Sequence, residues 1–160
     1  MRMKLAEALL LRADRNRTYE QLRARIGASA RYQEGEQPPE DAKELVDACY
    51  SVLDELEHLI RQINRTNALT SMPDGRTVTD ALAERDVLRL RHSLASGAAD
   101  AASGTGQRGA FMRATRSELK VVTALDVGAL RQRASDIARR TRELDAQIQQ
   151  VNWTTELVEQ

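Results

Sequence analysis

The sequence predicts a mainly α-helical protein: a four-helix antiparallel bundle of two αα-hairpins, with long coiled-coil-like helices and a small β-hairpin or sheet element. Three observations carry this reading. Two ladders climb in alternating steps of three and four, Ala42, Val46, Cys49, Leu53, Leu56, Ile60, Ile63 and Leu130, Ala134, Ile137, Thr141, Leu144, Ile148, Val151. That spacing holds one stripe against a partner helix. Charged residues make up 30% of the chain and aromatics 3%, which suits helices with wet outer faces better than strands, which draw on aromatic and β-branched residues. Finally, prolines and glycines gather between the patterned segments, where they break helices.

The first helix is expected over about residues 3–32, with Leu5, Leu9, Leu22 and Ile26 as its apolar stripe and Ala6, Leu10 and Ala13 widening it. Gly35-Glu36-Gln37-Pro38-Pro39 ends that pattern. Pro39 is placed to open the second helix, about 39–67, with Glu40, Asp41 and Glu44 favoured in the first turn by the backbone dipole. Leu45, Val52 and Leu59 add a second seam beside its ladder, so this helix is expected to touch two partners. Residues 68–79 read as strand, turn, strand around Pro73-Asp74-Gly75.

Thr79 is the expected cap of a third helix over about 80–96, whose apolar residues Ala81, Leu82, Val87, Leu88, Leu90 and Leu94 cover more than one face. The small, glycine-rich run from Ser96 to Ala110 reads as a loop. Residues 119–124 have strand character and would pair with the Pro73 hairpin. Asp126 would cap the fourth helix, about 126–153, which carries the second ladder. At 160 residues the whole suits a single helical domain, 1–160.

The two ladders coincide when the first is moved 88 positions, Ala42 onto Leu130, and each ends in Asn-x-Thr: Asn64-Arg65-Thr66 and Asn152-Trp153-Thr154. A fainter match, Leu5-Ala6-Glu7 with Leu82-Ala83-Glu84 at an offset of 77, fits a duplicated hairpin. Asn64 and Asn152 each follow an apolar ladder residue by four positions, as Asn67 follows Ile63, which keeps them near the stripe. A buried asparagine costs stability unless its amide is paired, yet it can fix register and oligomeric state. Asn64, Thr66, Asn67, Asn152, Trp153 and Thr154 are therefore the candidate polar site, as a lock on assembly or as the lining of a ligand pocket.

Other constellations are weaker. Glu55-x-x-His58 has the spacing of di-iron carboxylate bundles, but His92, the other histidine, has Arg89 where its glutamate should stand. Gly104-Thr105-Gly106-Gln107-Arg108-Gly109 matches the dinucleotide fingerprint in letters, without the strand before it or the helix after it that would present the phosphate. Arg108, Arg113 and Arg116 with Phe111 form a candidate basic loop, suited to intersubunit ion pairs or to phosphate. No serine, cysteine or histidine cluster forms a nucleophilic triad, so no catalytic residue, metal ligand or cofactor is expected.

Formal net charge is zero, so no global field draws the chain to nucleic acid or anionic lipid. Lys4, Lys43 and Lys120 are the only lysines, an arginine bias that suits bidentate pairing with carboxylates and that a GC-rich genome would also give. The single cysteine, Cys49, sits on the apolar ladder and reads as a small buried hydrophobe. Glu7 falls where a signal peptide needs an apolar core, and no run approaches the roughly 20 apolar residues of a membrane span. A cytoplasmic location is the expectation.

Met3-Lys4-Leu5-Ala6-Glu7-Ala8-Leu9, Ile63-Asn64-Arg65-Thr66-Asn67, Asp74-Gly75-Arg76-Thr77 with Leu82-Ala83-Glu84-Arg85-Asp86, and Asn152-Trp153-Thr154-Thr155-Glu156-Leu157 occur in that order. In combination they resemble the small bacterial proteins labelled septicolysin or septicolysin-like, over nearly the whole chain. The resemblance implies a cytolytic, pore-forming activity and no catalytic residues. The residues themselves favour a non-enzymatic protein that self-associates into a homo-oligomer, with the pore-former and a small-ligand or nucleic-acid binding module as alternatives.

Overall fold

A computed structural model describes residues 2–104 and 122–159. Among these the chain forms four helices, α1 (Leu5–Ser29), α2 (Ala42–Leu69), α3 (Val78–Ser103) and α4 (Val127–Thr154), and no strand. It divides into two compact units, one comprising Met1–Thr79 with Gln149–Gln160 and the other Asp80–Ile148.

In the first unit, α1 starts where the Glu7 carboxylate accepts the Lys4 backbone N–H at 2.6 Å, satisfying one of the donors that a helix start leaves without a partner. It ends at Ser29, short of Tyr32; the chain then turns through Gln33–Glu36 with Gly35 at φ +91. The second helix begins at Ala42 rather than Pro39, because Asp41 is its cap: one carboxylate oxygen accepts from the backbone N–H of Lys43 at 2.8 Å and of Glu44 at 3.2 Å.

The helices α1 and α2 run antiparallel. Leu22 packs with Leu45 and Cys49 near one end, joined by Tyr19, Ile26 and Val52. Leu5 and Ala8 pack with Leu59 and Ile63 near the other. Between and beyond these clusters Arg15 reaches Glu55 at 2.7 Å, and Arg25 pairs with Glu40. Each fully buried leucine or isoleucine stabilises the fold by about 1.5–3 kcal/mol, so the apolar clusters dominate and the exposed ion pairs chiefly favour the register. Leu10, read as part of the α1 stripe, is exposed.

Residues 70–78 are a closed turn rather than a hairpin of strands. Met72 donates its N–H to the Arg76 carbonyl at 2.7 Å and Val78 to the Thr70 carbonyl at 2.9 Å, around Gly75 at φ +86. One isolated bridge, Ser71 with Thr77, is the ladder found here among the described residues. Met72 and Val78 are buried beneath it. With Val78 already helical, Thr79 lies inside the first turn of α3 and is not its cap.

In the second unit, α3 continues to Ser103 through the stretch read as a loop from Ser96 onward. Ala98, Ala99, Ala101 and Ala102 are strong helix formers that outweigh Gly97, and Gly104 at φ +71 supplies the stop. Asp126 caps α4 as the sequence indicates, accepting from the Ala129 N–H at 2.9 Å. Ala81, Leu88, Ala95 and Ala99 of α3 are buried, as are Ala134, Leu144 and Ile148 of α4. Arg140 donates to Glu84 across the pair at 3.0 Å. Of the segment 119–124 read as a strand, 119–121 lie outside the described residues. Val122 and Thr123 are irregular, and the Thr123 hydroxyl closes a local turn with Leu125.

Candidate functional site

The candidate site lies around the C-terminal end of α2. Thr66 is fully buried there and Asn67 nearly so, whereas Asn64 is exposed. At the end of α4, Asn152 is buried while Trp153 and Thr154 face solvent. The two Asn-x-Thr triplets are therefore not structural equivalents. Burial follows an offset of 85 rather than 88: Cys49 matches Ala134, Leu59 matches Leu144, Ile63 matches Ile148 and Asn67 matches Asn152, all of them buried. The expectation that Asn64 lies near the packed stripe is corrected accordingly. With two seams side by side on α2, Ile63 and Leu59 turn fully inward and Ile60 only partly, which leaves Asn64, four residues after Ile60, outside.

What organises this region is the tail. After α4 the chain lies across the start of α1 as an isolated antiparallel bridge between Lys4 and Glu156. Leu5 donates its N–H to the Thr155 carbonyl at 2.9 Å, and Leu157 donates to the Met3 carbonyl at 2.8 Å. Leu157 then inserts among Leu5, Ala8, Leu59 and Ile63. One residue further, the Val158 N–H donates to Thr66 Oγ1 at 3.0 Å. The same hydroxyl donates to the Gln62 carbonyl at 2.8 Å, so Thr66 is used as both donor and acceptor. Lys4 Nζ donates to the Thr154 carbonyl at 3.1 Å and lies 3.7 Å from Glu156.

The polar candidates thus divide by role. Thr66 ties down the tail. The Thr154 hydroxyl donates to the Gln150 carbonyl at 3.0 Å on its own helix. Asn152 Oδ1 is buried with no hydrogen-bond partner among the described residues. A hollow of about 230 Å³ beside the tail is lined by Arg61, Gln62, Arg65 and Val158, so none of the six candidates walls it. The basic-loop candidates Arg108, Arg113 and Arg116 lie outside the described residues, as do Phe111 and residues 105–109 of the glycine fingerprint. His58 is exposed, and Glu55 of the same spacing is engaged by Arg15.

Sequence reasoning missed Lys4, Leu157 and Val158 as site residues. The available signal was Leu157-Val158, an apolar pair beyond the expected end of the fourth helix. Exposed acids alongside it concealed that this pair packs back on α1.

Among the described residues no group of His, Cys, Asp or Glu is arranged to hold a metal ion. The fold and the site define a small helical protein whose last residues are stitched across its first helix pair. The chain belongs to the family of unknown function DUF6847, which its residues 12–157 match. It is similar to a functionally unknown conserved protein from Corynebacterium diphtheriae, whose crystal structure superposes with a TM-score of 0.89 at 37% identity, covering 99% of this chain and 100% of that one. No curated protein matches.

Proposed function

We propose that this protein works by association rather than catalysis, as a self-assembling helical protein of the bacterial cytoplasm. One observation carries the reading. Val87, Leu90 and Leu94 follow one another at helical spacing along α3 and are 45%, 71% and 73% exposed. Single exposed leucines are ordinary, but a contiguous apolar row in helical register marks an interaction surface. Sedimentation of the full chain over a micromolar concentration series tests it. Mass rising with concentration is the expected result, and a strict monomer throughout would remove the reading.

The septicolysin-like resemblance supports a second reading, a membrane-active assembly using the same exposed row. No helix among the described residues is long and apolar enough to cross a membrane. Dye-loaded liposomes separate the two: leakage that scales with protein supports the second, and intact vesicles across pH and lipid composition remove it.

A further inference from the structure

The exposed row is longer and more ordered than its three large residues. Ala83, Val87, Leu90, Leu94, Gly97 and Ala101 continue the alternation of four and three along α3, and all six are exposed. Leu90 stands about 200° around the helix from buried Leu88, so this stripe lies nearly opposite the face that α3 buries within its own unit. The helix therefore carries two apolar seams, of which one is covered.

In heptad terms Val87 and Leu94 occupy a positions and Leu90 a d position. Val87 at a with Leu90 at d is the combination that, in a parallel pair, favours two strands. The flanking charges select the parallel arrangement. Asp86 and Arg91 border the stripe on opposite sides, five residues apart, and both are exposed. In a parallel pair that is the relation by which a flanking residue of one helix meets its complement on the other. In the antiparallel alternative, with Leu90 against Leu94, Arg91 faces its own copy and Asp86 approaches Asp100 of the second chain, so like charges meet at both places. Within the chain Asp86 is engaged by Arg85 at 3.3 Å and Arg89 at 4.0 Å; these exposed pairs are weak and exchangeable.

We infer that the partner on this stripe is a second copy of the same chain, docked parallel about a two-fold axis, with Leu90 against Leu90 and Asp86 of each chain paired with Arg91 of the other. The inference rests on the self-association reading and names its surface and geometry. Three large residues per chain make a contact of modest area, so the affinity belongs in the micromolar range.

The test uses the full chain. Leu94→Glu, at an exposed position, is expected to keep its helicity and thermal stability and to weaken dimerisation at least tenfold. Asp86→Arg and Arg91→Asp are each expected to weaken it, and the double variant to restore it. Leu90→Cys is expected to give a disulfide-linked dimer under mild oxidation, whereas the wild-type chain, with Cys49 buried, is not. A monomeric wild type overturns both the inference and the reading beneath it, and a monomer destabilised by Leu94→Glu means that the stripe is covered within the chain. A wild-type oligomer indifferent to Leu94→Glu overturns the α3 surface alone. Sensitivity to Leu94→Glu without cross-linking at position 90 or charge-swap rescue overturns the parallel geometry.

Discussion

Val158 and Thr66, 92 residues apart, are joined by one hydrogen bond from the Val158 N–H to Thr66 Oγ1 at 3.0 Å. Because Thr66 is fully buried, this bond and the insertion of Leu157 beside it fasten the tail to the first helix pair. Thr66→Val keeps the shape and removes the acceptor, and an unmade bond at such a site costs about 1–3 kcal/mol. Urea unfolding should show that loss, and hydrogen exchange should show the Val158 amide losing protection. An amide equally protected in the variant would mean that packing alone holds the tail.

Leu157 contributes the apolar part of the same fastening, packed among Leu5, Ala8, Leu59 and Ile63. Leu157→Ala should destabilise by about 2–5 kcal/mol, the usual range for emptying a buried leucine site. Thermal unfolding measures it. A change within about 0.5 kcal/mol, the scale of surface substitutions, would show that the tail does not close the core.

Asn152 and Asn64 should respond oppositely to replacement by leucine. Asn152 Oδ1 is buried without a partner among the described residues, so Asn152→Leu removes an unpaired acceptor at similar volume and should be neutral or stabilising by up to about 2 kcal/mol. Asn64 is exposed, and Asn64→Leu should change stability by no more than about 0.5 kcal/mol. A large loss at Asn152 would show that its amide makes an essential interaction in the assembled protein.

The Arg25 guanidinium hydrogen-bonds Glu40 and holds its carboxyl below the usual carboxylate range. A carboxyl whose folded pKa is depressed contributes stability above its unfolded pKa, and that contribution is lost as pH falls through the folded value. Stability should therefore decline in acid, less steeply in Glu40→Gln, and the difference should shrink with salt because both groups are exposed. Paired acid titrations monitored by circular dichroism check this; identical slopes would remove Glu40 from the account.

Gly75 sits at φ +86 with open space around its α-carbon. Gly75→Ala should therefore cost about 1 kcal/mol through backbone strain alone, readable as a lowered Tm. No change would mean that the turn relaxes to a conformation alanine accepts.

Heptad spacing, breakers and caps act over a few residues, so the α2 and α4 ladders, the Asp126 cap and the turn at Asp74-Gly75 were all legible in the chain of residues. The same signals misjudged elements whose outcome depended on competition. The alanines after Gly97 extended α3, and the short segments around the turn formed one bridge instead of strands. Which seam of each helix is buried depends on long-range packing. A ladder with a second apolar row beside it specifies a face no more finely than the neighbouring row, and partner packing selects between them. That selection put Asn67 and Asn152 inside, left Asn64 in water, brought Leu157 and Val158 back across α1, and left the Val87–Leu90–Leu94 seam of α3 exposed.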